Sequence, residues 1–446
     1  MSGHRKNSSS ATHTVTGAGT SQISARRAKG PNGRSRFEGA TNAPYHAVGK
    51  DHIEIPLDAG EAKIGKLPVA VGHVFGAVTL PGINGHATNG SDVGFVHAPA
   101  LGGTYEPYGP KPSDDFACWN YGAPAIHLAK VAGRLGQTEF GAAHRDQHYI
   151  LDSLRGGLSA PSAATMMCFW SDLIEQVEQS ALTRTYYVPL NLLTAPPQND
   201  SSDLSNSWLV PLSPRHGLSF EFTLSALGDL VLRGKSTTRV QVKATGAGLV
   251  ETDVKVKLFA QIFVINRQEF AAYEGAAGVI PYATFHHVSG ALPDDAGTAI
   301  GLRSNADISS MFLQIYKKTD RTTHGLHFYG CGSNGEQAVK DLIFEVNFHP
   351  RWRLTGDEAC GPVPYAMGCN PQLKNPIYVL SEATSLNNIN QHNGEAMSAS
   401  MFENKDLFIV LKDGLTRSDF GYRLTYACAS ELKVSRGGID IDWPLF

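Results

Sequence analysis

Tyr422-Arg423-Leu424-Thr425-Tyr426-Ala427-Cys428-Ala429-Ser430-Glu431-Leu432-Lys433-Val434 is apolar at every second position through Cys428, and Leu432 and Val434 restore the phase after Ser430. A period of two sets those side chains on one face of an extended chain, so the stretch predicts a long strand with one face on a core. Gly437-Gly438 ends it. Upstream, Ile377-Tyr378-Val379-Leu380 and Leu407-Phe408-Ile409-Val410-Leu411 predict two more strands, joined through the polar connection Asn387-Asn388-Ile389-Asn390-Gln391-His392-Asn393-Gly394.

Working outward, Val254, Val256 and Leu258 alternate with Lys255 and Lys257 and merge into an apolar run ending at Ile265. A long Gly-, Ala- and Pro-bearing connection is expected from Glu269 to about Asn305, followed by strands at Met311–Tyr316 and Leu342–Val346. In the first half, Asp51–Leu57, Leu67–Leu80, Tyr186–Leu192, Leu209–Leu212 and Leu218–Leu224 carry the β pattern, with Val240 and Val242 after them. Residues between Pro81 and Pro112 are expected to form loop. Two helical patches stand out, His144–Leu154 and Ser171–Leu182. Thr245-Gly246-Ala247-Gly248 is a small-residue segment between strand runs, and the domain boundary is expected there.

A chain of 446 residues can bury a large core and is long enough for two β domains. Its formal net charge of −3 gives no global attraction to nucleic acid or membrane. The cysteines, Cys118, Cys168, Cys331, Cys360, Cys369 and Cys428, lack zinc-site spacing. No secretory signal opens the chain, so free thiols and cytosolic synthesis are expected. Asn89-Gly90-Ser91 and Asn199-Asp200-Ser201 then read as turns rather than glycosylation sites. No apolar run is long enough for a bilayer-spanning helix.

Residues 1–36 carry Arg5, Lys6, Arg26, Arg27, Lys29, Arg34 and Arg36 among Ser, Thr, Gly and Ala, with no acidic residue. Such a segment buries too little apolar surface to offset its ordering entropy, so a flexible basic arm is expected, adding nothing to barrel stability. Signs of catalysis are weak. Gly330-Cys331-Gly332-Ser333-Asn334-Gly335 fits a dinucleotide fingerprint, but no βαβ alternation surrounds it. His286-His287, His324, His327 and His349 do not form a cupin metal motif, and no Gly-x-Ser-x-Gly elbow is present. Asp440 and Asp442 alternate around Ile441 as solvent-facing residues of a strand would. No cofactor, metal or catalytic residue is expected.

Tyr-Val-Leu-Ser-Glu-Ala at 378–383, the His-Asn-Gly turn, and the strand through Tyr426-Ala427 to Leu432-Lys433-Val434-Ser435-Arg436-Gly437-Gly438 together resemble the closing strands of major capsid proteins of nucleocytoplasmic large DNA viruses. Glu382 stands where that family has an aromatic, Asn393 where it has Ser, and Met397-Ser398-Ala399 where it has Asn-Phe-Ser. Trp119-Asn120 leading to a strand that ends at Gly136-Gln137, and the Pro189-Leu190 and Leu209-Val210-Pro211-Leu212 segments, resemble the same family. The resemblance implies an all-β fold of two tandem eight-stranded jelly rolls with short helical insertions and long loops. With the boundary read above, that gives an arm at 1–47, a first jelly roll at 48–248 and a second at 249–446.

The implied function is a non-enzymatic major capsid protein forming trimeric, pseudo-hexagonal capsomers in the icosahedral shell of a large double-stranded DNA virus, assembled in the host cytoplasm. The implied partners are two further copies, neighbouring capsomers, and minor capsid proteins or an internal membrane met by the arm, with no sequence-specific nucleic-acid binding. Two rival readings remain open. One is the coat protein of a small icosahedral RNA virus with shell and projecting domains; the other is a carbohydrate-binding β-sandwich.

Overall fold

The computed structural model describes residues 25–27, 37–39, 46–49, 52–57, 69–86, 116–135, 138–154, 166–170, 173–190, 210–211, 218–234, 239–265, 278–302, 308–324, 326–332, 335–369, 371, 375–381, 404–435 and 438–442. Strands β1 (Ala25–Arg27), β2 (Phe37–Gly39), β3 (His46–Gly49), β4 (His52–Leu57), β5 (Val69–Leu80), β6 (Ile83–His86) and β7 (Ala117–Trp119) lead to helix α1 (Ala123–His127). Then come β8 (Leu128–Leu135), β9 (Thr138–His144), α2 (Arg145–Leu154), α3 (Leu173–Ser180), β10 (Arg184–Pro189), β11 (Val210–Pro211) and β12 (Leu218–Leu224). Helix α4 (Leu227–Leu230), β13 (Val231–Arg233), β14 (Arg239–Val242) and β15 (Lys255–Ile265) complete the first set.

The second set is β16 (Gly278–Ala291), β17 (Ile300–Gly301), β18 (Ile308–Lys317), α5 (Lys318–His324), β19 (Val339–Val346) and β20 (His349–Thr355). It continues through α6 (Gly356–Cys360), α7 (Pro362–Ala366), β21 (Tyr378–Ser381), β22 (Lys405–Leu411), β23 (Phe420–Ser435) and β24 (Gly438–Asp442).

The second set is an antiparallel jelly roll. One sheet runs β16-β23-β18-β21 and the other β17-β22-β19-β20, so its eight principal strands, numbered by position in the chain, take the orders 1-8-3-6 and 2-7-4-5. The first set repeats this arrangement. One sheet runs from β1 through β15 and β5 to β10, with β2 also on β15, and the other runs β4-β12-β8-β9, with β3 added beside β4. Counting β1 and β2 as a broken first strand gives the same two orders. The fold is a double jelly roll.

Besides β6, which pairs at Ile83–His86 with Arg239–Val242 inside the stretch expected as loop, the observed pairing differs from the expected boundaries in three places. Lys255–Val264 pairs with Val69–Thr79, so β15 closes the first barrel instead of opening the second. The small-residue segment is a tight turn, with Gly246 at φ 67° and the Thr245 and Gly246 amides donating to the Val242 carbonyl. A glycine meets the left-handed backbone there at no steric cost, which explains its presence without a domain linker. The expected arm contributes β1, paired at Ala25–Arg27 with Phe263–Ile265, and β2, paired at Phe37–Gly39 with Phe259–Gln261. These triplets satisfy the edge of β15, which a wholly free arm would leave unpaired.

The third difference is β16. Fourteen residues expected as part of a connection pair along their whole length with Gly421–Val434. Pro281 hid the strand from the pattern. It is tolerated because β16 is an edge strand, where a missing ladder donor matters least.

Each barrel has its own core. In the first, Val78, Leu128, Val131, Tyr186, Val188, Phe222 and Leu258 pack around Trp119, whose indole N–H donates to the Pro81 carbonyl at 3.0 Å. In the second, Met311, Leu313, Ile315, Phe344, Tyr378, Leu407 and Leu424 interdigitate between the two sheets. Each such side chain contributes about 1.5–3 kcal/mol through removal from water.

Candidate assembly interface

The long strand β23 was expected to have one buried face, and it has two. Tyr422, Leu424, Tyr426 and Cys428 enter the second barrel, while Arg423, Thr425 and Ala427 on the other face are 6%, 2% and 0% exposed. What covers the outer face comes from the first set of strands. Strand β9 passes at His144 directly into α2, whose residues Gln147, Ile150, Leu151 and Leu154 recur at helical spacing and are all buried. Ile150, Leu151 and Leu154 form one apolar cluster with Phe312, Ile377, Val379 and Ala427, together with Tyr329, Met367 and Cys369. The barrels therefore share a third core between them. The helical patch was legible in the sequence; its role as the wedge between barrels was not, because a stripe of apolar residues does not name the surface it covers.

Polar and aromatic contacts extend this junction. His144 of β9 stacks on His287 of β16 with ring centroids 5.5 Å apart, and His287 Nδ1 lies 3.3 Å from the Thr425 hydroxyl. Phe169 meets His327 at 5.9 Å, and His327 is 3.3 Å from the Tyr329 hydroxyl. Arg145 pairs with Asp229 at 3.5 Å, tying the start of α2 to α4. Arg321, 8% exposed, lies over the Tyr316 ring at 4.3 Å and donates from Nε to the Leu326 carbonyl at 2.8 Å. On the barrel side of the same sheet, the His286 ring stacks on Tyr426 at 5.3 Å, and burial lowers the affinity of His286 for a proton.

Of the arm residues, Arg26 and Arg27 lie in β1, while Arg5, Lys6, Lys29, Arg34 and Arg36 fall outside the described residues. Residues 87–112 of the first long connection and 269–277 of the second also fall outside them. The chain turns at Gly332 and Gly335, with Cys331 and Glu336 exchanging backbone hydrogen bonds at 2.9 and 2.8 Å. Strand β19 follows it. A dinucleotide fingerprint needs a helix N-terminus at that point, so the turn chemistry accounts for these glycines. Burial raises the Cys168 thiol to about 11. Among the described residues no group of three His, Cys, Asp or Glu is placed to hold a metal, and no helix is long and apolar enough to cross a membrane.

Large apolar side chains also reach the surface. Phe348, Tyr365, Val250, Leu182 and Tyr187 are 74%, 76%, 52%, 46% and 36% exposed. Phe348 sits in the two-residue turn between β19 and β20 at φ 65°, beside Asn347 at φ 52°.

No protein-family model matches the chain, and no curated protein matches it by sequence. Solved structures do. The PBCV-1 virus capsid, in a quasi-atomic description, aligns with a TM-score of 0.59 at 12% identity over 92% of this chain and 97% of its own. PBCV-1 VP54, fitted into a reconstruction of the virophage Sputnik, aligns at 0.56 and 12% identity over 92% and 96% of the two chains. The Faustovirus major capsid protein aligns at 0.50 and 8% identity over 90% of each. Across nearly its whole length, then, the chain shares the double jelly-roll fold of these viral capsid structures.

Proposed function

We propose that this chain is a major capsid protein that self-assembles as trimers into the icosahedral shell of a double-stranded DNA virus. The observation that carries the reading is the repeat of one eight-strand order in two barrels fused by a common core, in a fold shared over 92% of the chain with a viral capsid structure. The first barrel runs to residue 265 and the second from residue 278. Three such chains around a three-fold axis present six similar barrels, which lets a three-fold object tile a hexagonal lattice. The shared core disfavours a shell barrel with a projecting barrel on a linker, which would need no continuous packing between them.

The work of such a protein is geometric. Its partners are two further copies, neighbouring capsomers, and minor capsid proteins or an internal membrane. Arg5 and Lys6, ahead of β1, suit the inner surface of the shell, where each cation near an anionic leaflet contributes on the order of 1 kcal/mol. Assembly takes place in the host cytoplasm, with no cofactor and no turnover. Sedimentation of the purified protein tests this: a species of three 47.9 kDa chains at micromolar concentration is expected. A persistent monomer would contradict it.

A further inference from the structure

Inside one chain, the fifth strand of the first barrel and the helix that follows it, β9 and α2, cover the outer face of the second barrel's β16-β23-β18-β21 sheet. Because the strand order repeats, the chain holds both halves of this contact a second time. The fifth strand of the second barrel, β20, passes directly at Thr355 into α6 and then α7. The first barrel has the corresponding sheet, β15-β5-β10, with its own outer face. That face is solvent-accessible in the isolated chain, since Lys255, Lys257, Thr185 and Tyr187 are exposed on it.

The two surfaces carry opposite charge. In register across the sheet, Lys257 lines up with Ala77 and Tyr187, and Lys255 with Thr79 and Thr185, so two lysines on β15 stand across β5 from an aromatic residue on β10, with no carboxylate in either row. Glu251 and Asp253 sit in the turn ahead of β15. On the other side, Asp357 and Glu358 are exposed in the first turn of α6, and Tyr365 stands 76% exposed on α7. Arg351 and Arg353 lie back along β20, toward the 347–348 turn. The Glu358 carboxylate caps α6 by accepting from the Thr355 amide at 2.8 Å and the Thr355 hydroxyl at 2.9 Å, whereas the exposed Asp357 carboxylate takes no part in that cap.

We infer that the α6–α7 surface of one copy docks on the outer β15-β5-β10 face of the first barrel of the next copy, Asp357 facing the Lys255–Lys257 row and Tyr365 packing beside Tyr187. This inference rests on the capsomer reading and names the surfaces that meet in it. The contact is heterologous, head to tail, and closes when the rotation between copies continues the one between barrels. Its polar character follows from its history. The contact inside the chain never separates and is built around an apolar cluster, whereas a contact between chains must stay soluble until the partner arrives, with charge setting register and partner choice.

The test measures trimer dissociation by sedimentation for the full chain and three variants, with thermal melting as a control for folding. Lys255→Glu with Lys257→Glu is expected to weaken the trimer by roughly tenfold or more, since like charges then face Asp357. Tyr365→Ala weakens it without altering charge. Adding Asp357→Lys to the lysine-reversed chain restores association toward the wild-type level, a rescue that general destabilisation would not give. A wild-type trimer indifferent to these changes, or no rescue, overturns this contact while leaving the capsomer reading standing. A wild-type chain that stays monomeric overturns both.

Discussion

His127 closes α1 inside the first barrel and is 4% exposed, and burial, against a smaller opposing pull from the Ser225 backbone, lowers its pKa to about 4. In the unfolded chain the imidazole titrates near its ordinary value of about 6.5. Between those values the unfolded state binds the extra proton, so stability is full above about pH 6.5 and falls as pH drops toward 4. The shift corresponds to about 3 kcal/mol at most. Urea unfolding at pH 7.5 and pH 5 should therefore show a loss in the wild type that His127→Leu reduces; an equal loss in both would mean that His127 is not sealed from water. Gly122, immediately before α1, shows the same tightness. At φ 69°, an added Cβ there would lie 2.6 Å from the Phe169 ring, so close packing and backbone both require glycine.

At the scale of elements, sequence and structure part company where a residue has two explanations. Alternation in Tyr422–Cys428 revealed β23 and the face it turns into the barrel. The residues between, Arg423 and Thr425, look like solvent-facing positions, and they are interior because the Tyr316 ring lies beside Arg423 and His287, stacked on His144 of β9, lies against Thr425. Pro281 and the glycines around it made β16 look like a connection, and Gly246 made a turn look like a boundary. The candidate arm misled for a related reason. Ala25–Arg27 and Phe37–Gly39 have little apolar content, and what holds them is the backbone ladder of β15, which leaves no trace in composition. Deleting residues 1–39 should therefore lower the melting temperature, because it strips the first barrel of its broken first strand and exposes the β15 edge. Deleting residues 1–20 should leave the melting temperature unchanged. Equal melting of both truncations and the full chain would return the whole segment to the status of a free arm.

For the whole molecule, the closing strands and the Trp119–Asn120 segment carried enough order and residue type to suggest a double barrel. The rigid joining of the barrels was not legible, since it depends on Ile150, Leu151 and Leu154 meeting Phe312, Val379 and Ala427 from more than a hundred residues away. That joining is what makes one chain a unit of fixed shape, and fixed shape is what a tiling subunit must supply. Electron microscopy of the purified, negatively stained protein tests the account most directly. It predicts three-fold particles with a hexagonal outline, six barrels around a central axis. Single two-lobed particles, or assemblies with two-fold symmetry, would contradict it.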